Sequence, residues 1–284
     1  MKRRELEESI KDDLKKSSLW VNKIEQDCRN QKVFLAIRNN SIDIYYKGGR
    51  LFEFDKKKGF KTHIKFAAVI TKEKNDYLTE IELANRKFDF GFEKNYERIK
   101  ENCLNYSGVE DLGISDVYHR HSYLAKDDVI VLDIEITFKS LNEEKNQDRI
   151  DLLLFDKRRK KLHFVEAKHY SNSDIWTTGE PKVVKQIKKY EEQIKTKKDD
   201  ILENYKIYIE CLNDIFKPLS PELEPPIGID EKVILFIFGF DDDQKNKGLM
   251  ECKEKLKSLG IKNYNIGKPG SDKFKLSTLI DSAE

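Results

Sequence analysis

Acidic and basic side chains meet at the end of one apolar, strand-like segment, where they could form a catalytic site. The segment KLHFVEAKH, residues 161–169, places Glu166 and Lys168 two positions apart. Side chains alternate across a strand, so both share the face of Leu162 and Phe164 and lie roughly 6.6 Å apart along the chain. A bare charge at the edge of a core is costly, and we therefore expect compensating groups nearby.

The preceding apolar segment supplies a second carboxylate. Asp151 stands directly ahead of the run LLLF, and a tight cationic turn over 157–161 would bring it near Glu166. Two carboxylates beside a Lys at a strand end suit Mg²⁺, which takes oxygen ligands and keeps several waters. The ion would polarise a phosphate and help make hydroxide, and the Lys would orient that water or stabilise phosphoryl charge. The alternative is an ordinary salt-bridged trio.

A separate helix adds polar groups to the same region. Pro181 suits a helix start, and the following sequence places Gln186 one turn before Tyr190. This convergence favours the metal site over the salt-bridged trio.

The remaining elements from residue 93 onward predict an α/β layer with a mixed sheet. Strands are predicted over 128–138, over both arms of 148–170, and over KVILFIFGF and NYNIG; helices are predicted over 93–106, 181–198, 199–216 and 246–259.

These motifs resemble the PD-(D/E)XK phosphodiesterase superfamily, the fold of many restriction endonucleases and repair nucleases. The matching motifs are RID ending at Asp151, VEAK over 165–168 and QIKKY over 186–190, with Ile150 in place of the family's Pro. The family core is a helix, a three-stranded meander, a helix and a fourth strand, which matches the order over about 93–240. The resemblance implies a restriction-endonuclease-like α/β core with a mixed sheet flanked by helices.

The resemblance also implies a role for each motif residue. Asp151 and Glu166 would bind Mg²⁺, for which Mn²⁺ could substitute, and the Ala167 carbonyl would be a third ligand. Lys168 would orient the attacking water or stabilise charge, and Gln186 would complete the site.

Many members of this superfamily place a further acidic residue on the first helix. Glu97 flanks the apolar face of the helix predicted over 93–106, whereas Glu101 points further away. Glu135, which would share a strand face with Asp133, is another candidate, the alternative being a solvated face.

Other metal-binding patterns are weaker. His119 and His121 in YHRHSY would share one side of an extended segment, as transition-metal ligands could, but a polar loop is favoured. The four cysteines form no C-x-x-C pair, which favours reduced, structural thiols over a zinc site.

Residues 1–92 are predicted to form a separate N-terminal unit. An amphipathic helix over 3–27 precedes the segments KVFLAI, SIDIYY, RLFEF, HIKFAAVI and YLTEIELA, which predict an antiparallel β-meander. We therefore divide the chain into a recognition or interaction unit, 1–92, and a nuclease-like domain, 93–284. The basic stretch KKKGFKTHIK at 56–65 is interpreted as a solvated hairpin tip rather than a nucleic-acid-binding wing.

Charge patterning limits the partners that can be inferred. The 54 Lys and Arg residues nearly balance the 52 Asp and Glu residues, so the net charge of +2 does not by itself indicate a polyanionic partner. Two local patches, KRRKK at 157–161 and the lysines of the helix 181–198, would suit phosphate-backbone contacts near the site. Beside a magnesium site, these patches favour DNA.

The sequence lacks the features of a membrane protein. The first residues contain no apolar signal core, and the longest apolar run, VILFIFGF, is too short to cross a bilayer. We therefore expect a cytoplasmic location without membrane association.

The sequence as a whole predicts a magnesium-dependent nuclease, a hydrolase acting on phosphodiester bonds of DNA in restriction, phage defence or repair. One alternative is an inactive nuclease-fold module that binds nucleic acid or a protein partner. Another is a nuclease subunit that acts only with a partner. The oligomeric state, including a homodimer, is left open.

Overall fold

The computed structural model describes residues 4–67, 91–138, 148–177, 179–217, 222–272 and 274–282. Within these ranges the chain forms one four-stranded antiparallel sheet and one six-stranded mixed sheet, with helices around both. The predicted α/β architecture with an antiparallel sheet and a mixed sheet is therefore confirmed.

The N-terminal helical region is broken, whereas one helix was predicted over 3–27. Helix α1 spans Glu8–Lys16 and ends at Ser17, whose backbone is extended. A π-helical turn, Trp20–Ile24, then leads into α2, Glu25–Arg29. The apolar spacing hides this break because it continues through both parts, which bury Ile10, Leu14, Trp20 and Ile24.

The antiparallel sheet confirms three of the strands predicted in the N-terminal unit. Its strands, in spatial order, are β1 Phe34–Arg38, β2 Ser41–Tyr46, β3 Gly49–Asp55 and β4 Gly59–Lys61. The strand predicted from His63 is wrong at its start, where Ile64–Ala67 forms the short helix α3. The His63 ring nitrogen accepts the Lys65 backbone N–H at 3.1 Å, which favours the turn over an extended chain. The segment YLTEIELA lies outside the described residues.

Two helices follow the antiparallel sheet. The predicted helix α4, Tyr96–Asn105, packs on that sheet through Tyr96, whose ring stacks on Phe52 with centroids 6.2 Å apart. Helix α5, Val109–Arg120, was not predicted, and it lies close to the mixed sheet at Gly113. A Cβ at Gly113 would come within 2.1 Å of the Phe238 ring, so only glycine permits this approach.

The mixed sheet combines a meander with parallel strands. Its members are β5 Val129–Phe138, β6 Asp148–Asp156, β7 Lys161–His169, β8 Gly228–Ile229, β9 Ile234–Phe238 and β10 Asn263–Ile266. Strands β5, β6 and β7 pair antiparallel, whereas β8 and β9 run parallel to β7 and β10 runs parallel to β9.

Helices cover this sheet and close the chain. They are α6 Lys182–Thr196, α7 Lys198–Ile215, α8 Asp242–Gln244, a π-helical turn Lys245–Leu249, α9 Met250–Ser258 and α10 Leu276–Ser282. The helices predicted over 181–198 and 199–216 are thereby confirmed. Among the described helices, none combines the length and the apolar composition needed to span a bilayer.

A buried carboxylate in β5 links the two sheets. Asp133 is fully buried and lies 2.8 Å from the Arg38 guanidinium of β1 and 3.3 Å from that of Arg4. The Tyr205 hydroxyl of α7 donates a hydrogen bond to the same carboxylate at 2.8 Å. Asp133 therefore connects β5 to three other parts of the chain, namely the segment of Arg4, strand β1 and helix α7.

The side-chain alternation expected for the centre of β5 is wrong. The register to β6 shifts between Val131 and Asp133, and Glu135 has a left-handed backbone with φ +54°. Asp133 is fully buried against Arg4 and Arg38, whereas Glu135 is half-buried at the edge of a cleft. The solvated face expected of these two acids is therefore wrong for Asp133.

We expect Asp133→Ala to lower the free energy of unfolding by about 3–5 kcal/mol, because Arg4 and Arg38 would stay buried without their shared counter-ion. Urea unfolding followed by circular dichroism measures the loss. As a control, Glu224→Ala removes an exposed partner of Lys160 and should cost less than about 1 kcal/mol. Equal losses in the two variants would contradict a structural role for Asp133.

Candidate active site

The candidate site lies where strands β6 and β7 stop pairing. Their ladder runs from the turn as far as Leu152 opposite Val165. One residue further, the Asp151 carboxylate, rather than a backbone carbonyl, accepts the backbone N–H of Ala167 at 2.8 Å. Because the N–H and C=O of one strand residue point to the same edge, the Ala167 carbonyl faces the same opening.

Glu166 and Lys168 lie side by side next to this opening. The Lys168 ammonium is 2.6 Å from Glu166 Oε1, and the two residues are 8% and 1% exposed, respectively. The other carboxylate oxygen, Glu166 Oε2, is buried and has no hydrogen-bond partner among the described residues. A buried polar atom without a partner is costly, so this oxygen points to a ligand.

The charges at the site are electrostatically coupled. Burial is the main cause that raises the pKa of Glu166, and the Asp151 carboxylate raises it further. Burial also raises the pKa of Asp151, against the opposing effect of Lys168. Although burial disfavours its charged form, the two carboxylates raise the pKa of Lys168, which therefore stays cationic.

Glu110, in the first turn of α5, is a site residue that sequence reasoning missed. Its Oε2 accepts the backbone N–H of His169 and the side-chain N–H of Asn172, each at 2.9 Å. These bonds tie α5 to the end of β7, directly after Lys168. Burial and the Asp151 carboxylate are the larger causes of the raised pKa of Glu166, and the negative charge of Glu110 raises it further.

From the sequence, Glu97 of the preceding helix α4 was the candidate for the additional acidic residue at the site, because helix α5 was not predicted. Glu97 in α4 pairs with Lys100 at 3.2 Å, and the same ammonium binds Asp27 of α2 at 2.8 Å. Glu97 thus belongs to an ion-pair cluster beside the antiparallel sheet, and Glu101 is exposed. In this structure, Glu110 occupies the position at the site that was expected of Glu97.

Glu135 lies beside Asp151 in the sheet. Ile134 pairs with Leu152 and Ile136 with Ile150, which sets Glu135 opposite Asp151. The Glu135 carboxylate is 2.6 Å from the Arg149 guanidinium. Burial, opposed by Arg149 and aided by Asp151, raises the pKa of Glu135 to about 7.

Gln186 is linked through two hydrogen bonds to the strand that contains Asp151. Its side-chain amide donates to the Tyr190 hydroxyl at 2.7 Å, and that hydroxyl donates to the Arg149 carbonyl at 2.6 Å. The structure therefore connects Gln186 to β6 through Tyr190.

The cationic turn 157–161 lies at the opposite end of the β6–β7 hairpin. Asp151 and Glu166 are each five positions, roughly 17 Å, from the strand ends Asp156 and Lys161 at the turn. Its charges pair locally: Arg158 with Asp128, Arg159 with Asp281 and Lys160 with Glu224. The prediction that this turn forms a basic patch near the site is wrong, because a tight hairpin places its turn a full strand length from its open end.

The two histidines of YHRHSY do not form a shared site. His119 is inside α5 and His121 ends it, so the segment is helical rather than extended. The Lys47 backbone N–H donates to the His119 ring at 3.4 Å, whereas the His121 ring lies 2.7 Å from Asp127. All four cysteines are free and buried, in agreement with structural thiols.

The oxygen atoms at the open end of the hairpin fit a magnesium ion. The described part of the chain contains no group of three or more His, Cys, Asp or Glu residues that could hold a metal. Mg²⁺, however, is commonly held by one or two carboxylates together with waters and substrate phosphates. Asp151, the unpartnered oxygen of Glu166 and the Ala167 carbonyl supply such a set at one edge.

The fold and the site define an α/β protein with a carboxylate–lysine site at the end of a mixed-sheet strand. No protein-family profile, curated protein or solved structure matches this chain. Its function is therefore inferred from its own residues.

We expect Mg²⁺ or Mn²⁺ to raise the melting temperature of the wild-type protein, because only the folded chain brings Asp151 and Glu166 together. At 100 times the dissociation constant, binding adds about 2.7 kcal/mol, or roughly 5 °C for a chain of this size. Differential scanning fluorimetry measures the shift. Asp151→Asn and Glu166→Gln should abolish it and Glu224→Gln should not; equal shifts in all of these proteins would rule out this metal site.

A second prediction concerns acid stability. Burial lowers the pKa of His119 to about 3, so below about pH 6.5 the unfolded chain takes up a proton that the folded chain excludes. The stability linked to His119 is present above that pH and falls by about 1.4 kcal/mol per pH unit on acidification. Urea unfolding at several pH values should show a shallower loss in His119→Gln than in the wild type. Equal slopes in His119→Gln and the wild type would contradict the assignment.

Proposed function

We propose that the chain is a metal-dependent phosphodiesterase that hydrolyses nucleic-acid backbones, most readily DNA, on a restriction-endonuclease-like core. The observation that carries the proposal is the buried, unpartnered oxygen of Glu166 at the open end of the β6–β7 hairpin. The salt bridge to Lys168 engages the other oxygen of Glu166, so this one is left to accept a cation.

The proposed ion would be held by Asp151, Glu166 and the Ala167 carbonyl. When bound, Mg²⁺ or Mn²⁺ would polarise the phosphate and lower the pKa of a coordinated water. Lys168, held beside Glu166, presents a fixed positive charge that orients this water and stabilises negative charge on the phosphoryl oxygens.

Two further residues position this machinery. Glu110 binds the backbone at His169 and thereby fixes the end of β7 immediately after Lys168. Gln186 binds Tyr190, whose hydroxyl holds the backbone of β6 two residues before Asp151. Helix α5 thus holds β7 and helix α6 holds β6 where the two strands stop pairing. We expect the carboxylates of Asp151 and Glu166 to keep their separation when the substrate binds.

Exposed lysines of α6 support a polyanionic substrate. Lys182, Lys185 and Lys188 are exposed, and the pairs that Lys182 and Lys188 form with Asp174 and Glu180 are of the exposed kind that contributes little. Phosphate-backbone contacts from such lysines position a nucleic acid without reading its sequence. The choice of DNA, and a role in restriction, phage defence or repair, rests on the resemblance to PD-(D/E)XK nucleases.

We expect the wild-type protein to cleave nucleic acid with Mg²⁺ or Mn²⁺, and Asp151→Asn and Lys168→Ala each to lower the rate at least about 100-fold. Plasmid, linear and single-stranded DNA and RNA are the substrates, and gel analysis of the products gives the rates. Asp281→Asn, which removes an exposed acid at the far turn, is the matched control and should cut like the wild type.

The possible outcomes separate the competing functions. Cleavage by all the variants at the wild-type rate would place the activity outside this site. If the wild type cuts nothing with either metal, the isolated chain is not a nuclease, and a binding module or a nuclease that needs a partner is favoured. Unchanged unfolding transitions of the variants would exclude misfolding as the cause of lost activity.

A further inference from the structure

A polar cleft with a volume of about 710 Å³ lies between the antiparallel sheet and the mixed sheet. One side is formed by residues of β1, β2 and β3, and the other by residues of β5, β6 and α5. Glu135 and Arg149 line it, and in the sheet these residues lie next to Asp151. The cleft therefore connects the candidate active site with the N-terminal unit.

A second hollow, of about 390 Å³, continues this cleft along the antiparallel sheet. Its lining residues are Gly49, Arg50, Glu53, Lys61, Thr62, His63, Lys65 and Phe66. Because Arg50 and Glu53 line both spaces, the cleft and the hollow adjoin each other, and we call the two together the track. The basic stretch 56–65, interpreted from sequence as a solvated hairpin tip, thus contributes its second half to a concave surface.

Two arginines on this track are suited to bind phosphate. Arg50 is 54% exposed, and its contacts to Asp43 and Glu53 are long, at 3.4 Å and 3.3 Å. Arg149 is 59% exposed and pairs with Glu135. A planar guanidinium can bind phosphate oxygens through two parallel hydrogen bonds, and exposed ion pairs of this kind exchange partners at little cost.

The charge of the track favours local contacts over long-range attraction. Four arginines and four acidic residues line the larger cleft, so that cleft is nearly neutral. Towards the smaller hollow the balance becomes cationic, with Lys61 and Lys65 beside Arg50 against the single acid Glu53. An extended anionic chain fits this distribution better than a compact ligand, because the cations are spread along the track.

We propose that this track binds the phosphodiester backbone of the substrate strand next to the cleaved bond, with Arg149 and Arg50 as phosphate-binding residues. The inference rests on the proposed function for the position of that bond. It deepens that function because the antiparallel sheet then holds substrate directly, rather than acting as a remote recognition unit.

Binding can be measured without cleavage in the Lys168→Ala background. Fluorescence anisotropy with labelled single-stranded and double-stranded DNA, at several salt concentrations, gives the affinity and its salt dependence. We expect Arg50→Gln and Arg149→Gln each to weaken binding about tenfold and to lower the slope of log K against log salt by about one.

Arg158→Gln provides a matched control. It makes the same substitution at an exposed arginine of the 157–161 turn, at the far end of the β6–β7 hairpin. Affinity and salt slope should stay unchanged in this variant. If Arg50→Gln and Arg149→Gln bind DNA as tightly as Arg158→Gln, the track does not hold the backbone. Competition by a dinucleotide as strong as that by the long oligonucleotide would also overturn the inference, since it indicates a pocket for a small nucleotide.

The failure of this inference can be distinguished from failure of the proposed function. If the wild type cuts DNA and Arg50→Gln and Arg149→Gln cut it with unchanged KM, the track is wrong and the nuclease stands. If the wild type cuts nothing while both variants lose binding as expected, the track stands and the nuclease is wrong.

Discussion

The arrangement of the two sheets depends on one buried carboxylate. Asp133 in β5 binds the guanidinium groups of Arg4 and Arg38 and the hydroxyl of Tyr205. Removing these charges from water is costly, and their mutual pairing, together with the Arg38–Asp43 pair, offsets that cost. The position of β1 against β5 is therefore set by directional charge contacts, which tolerate less displacement than apolar packing alone. Arg4 and Arg38 also line the cleft between the sheets, so the same contacts fix part of its wall.

Strand β5 serves both the link between the sheets and the candidate site. A register shift in a strand re-aims the side chains around it. Here the shift lies next to Asp133, which turns inward, and Glu135 follows two residues later with a left-handed backbone opposite Asp151. From Asp133 to Ile136 the pairing with β6 is continuous, so one short segment supplies a carboxylate to the structure and another to the edge of the site.

Sequence reasoning succeeded where one local rule determined the structure. Asp151 and Glu166 could be paired because a tight turn fixes the register of an antiparallel hairpin. It failed where several parts of the chain act together. Helix α5 and its Glu110 were missed because the apolar residues of 109–120 do not gather on one face, and its packing depends on the close approach at Gly113. The buried role of Asp133 could not be predicted, because its partners Arg4, Arg38 and Tyr205 come from distant parts of the chain.

The two ends of the β6–β7 hairpin show how charge in this chain relates to function. At the turn, Arg158 and Lys160 each have an acidic partner and substantial exposure, so they need nothing further from a ligand. At the open end, Glu166 is almost fully buried, lies close to another carboxylate and keeps one oxygen without a partner. Such an arrangement lowers the stability of the fold unless a cation relieves it. The number of charged residues alone would have placed the functional site at the turn. The buried carboxylate oxygen without a partner places it at the opposite end of the same two strands.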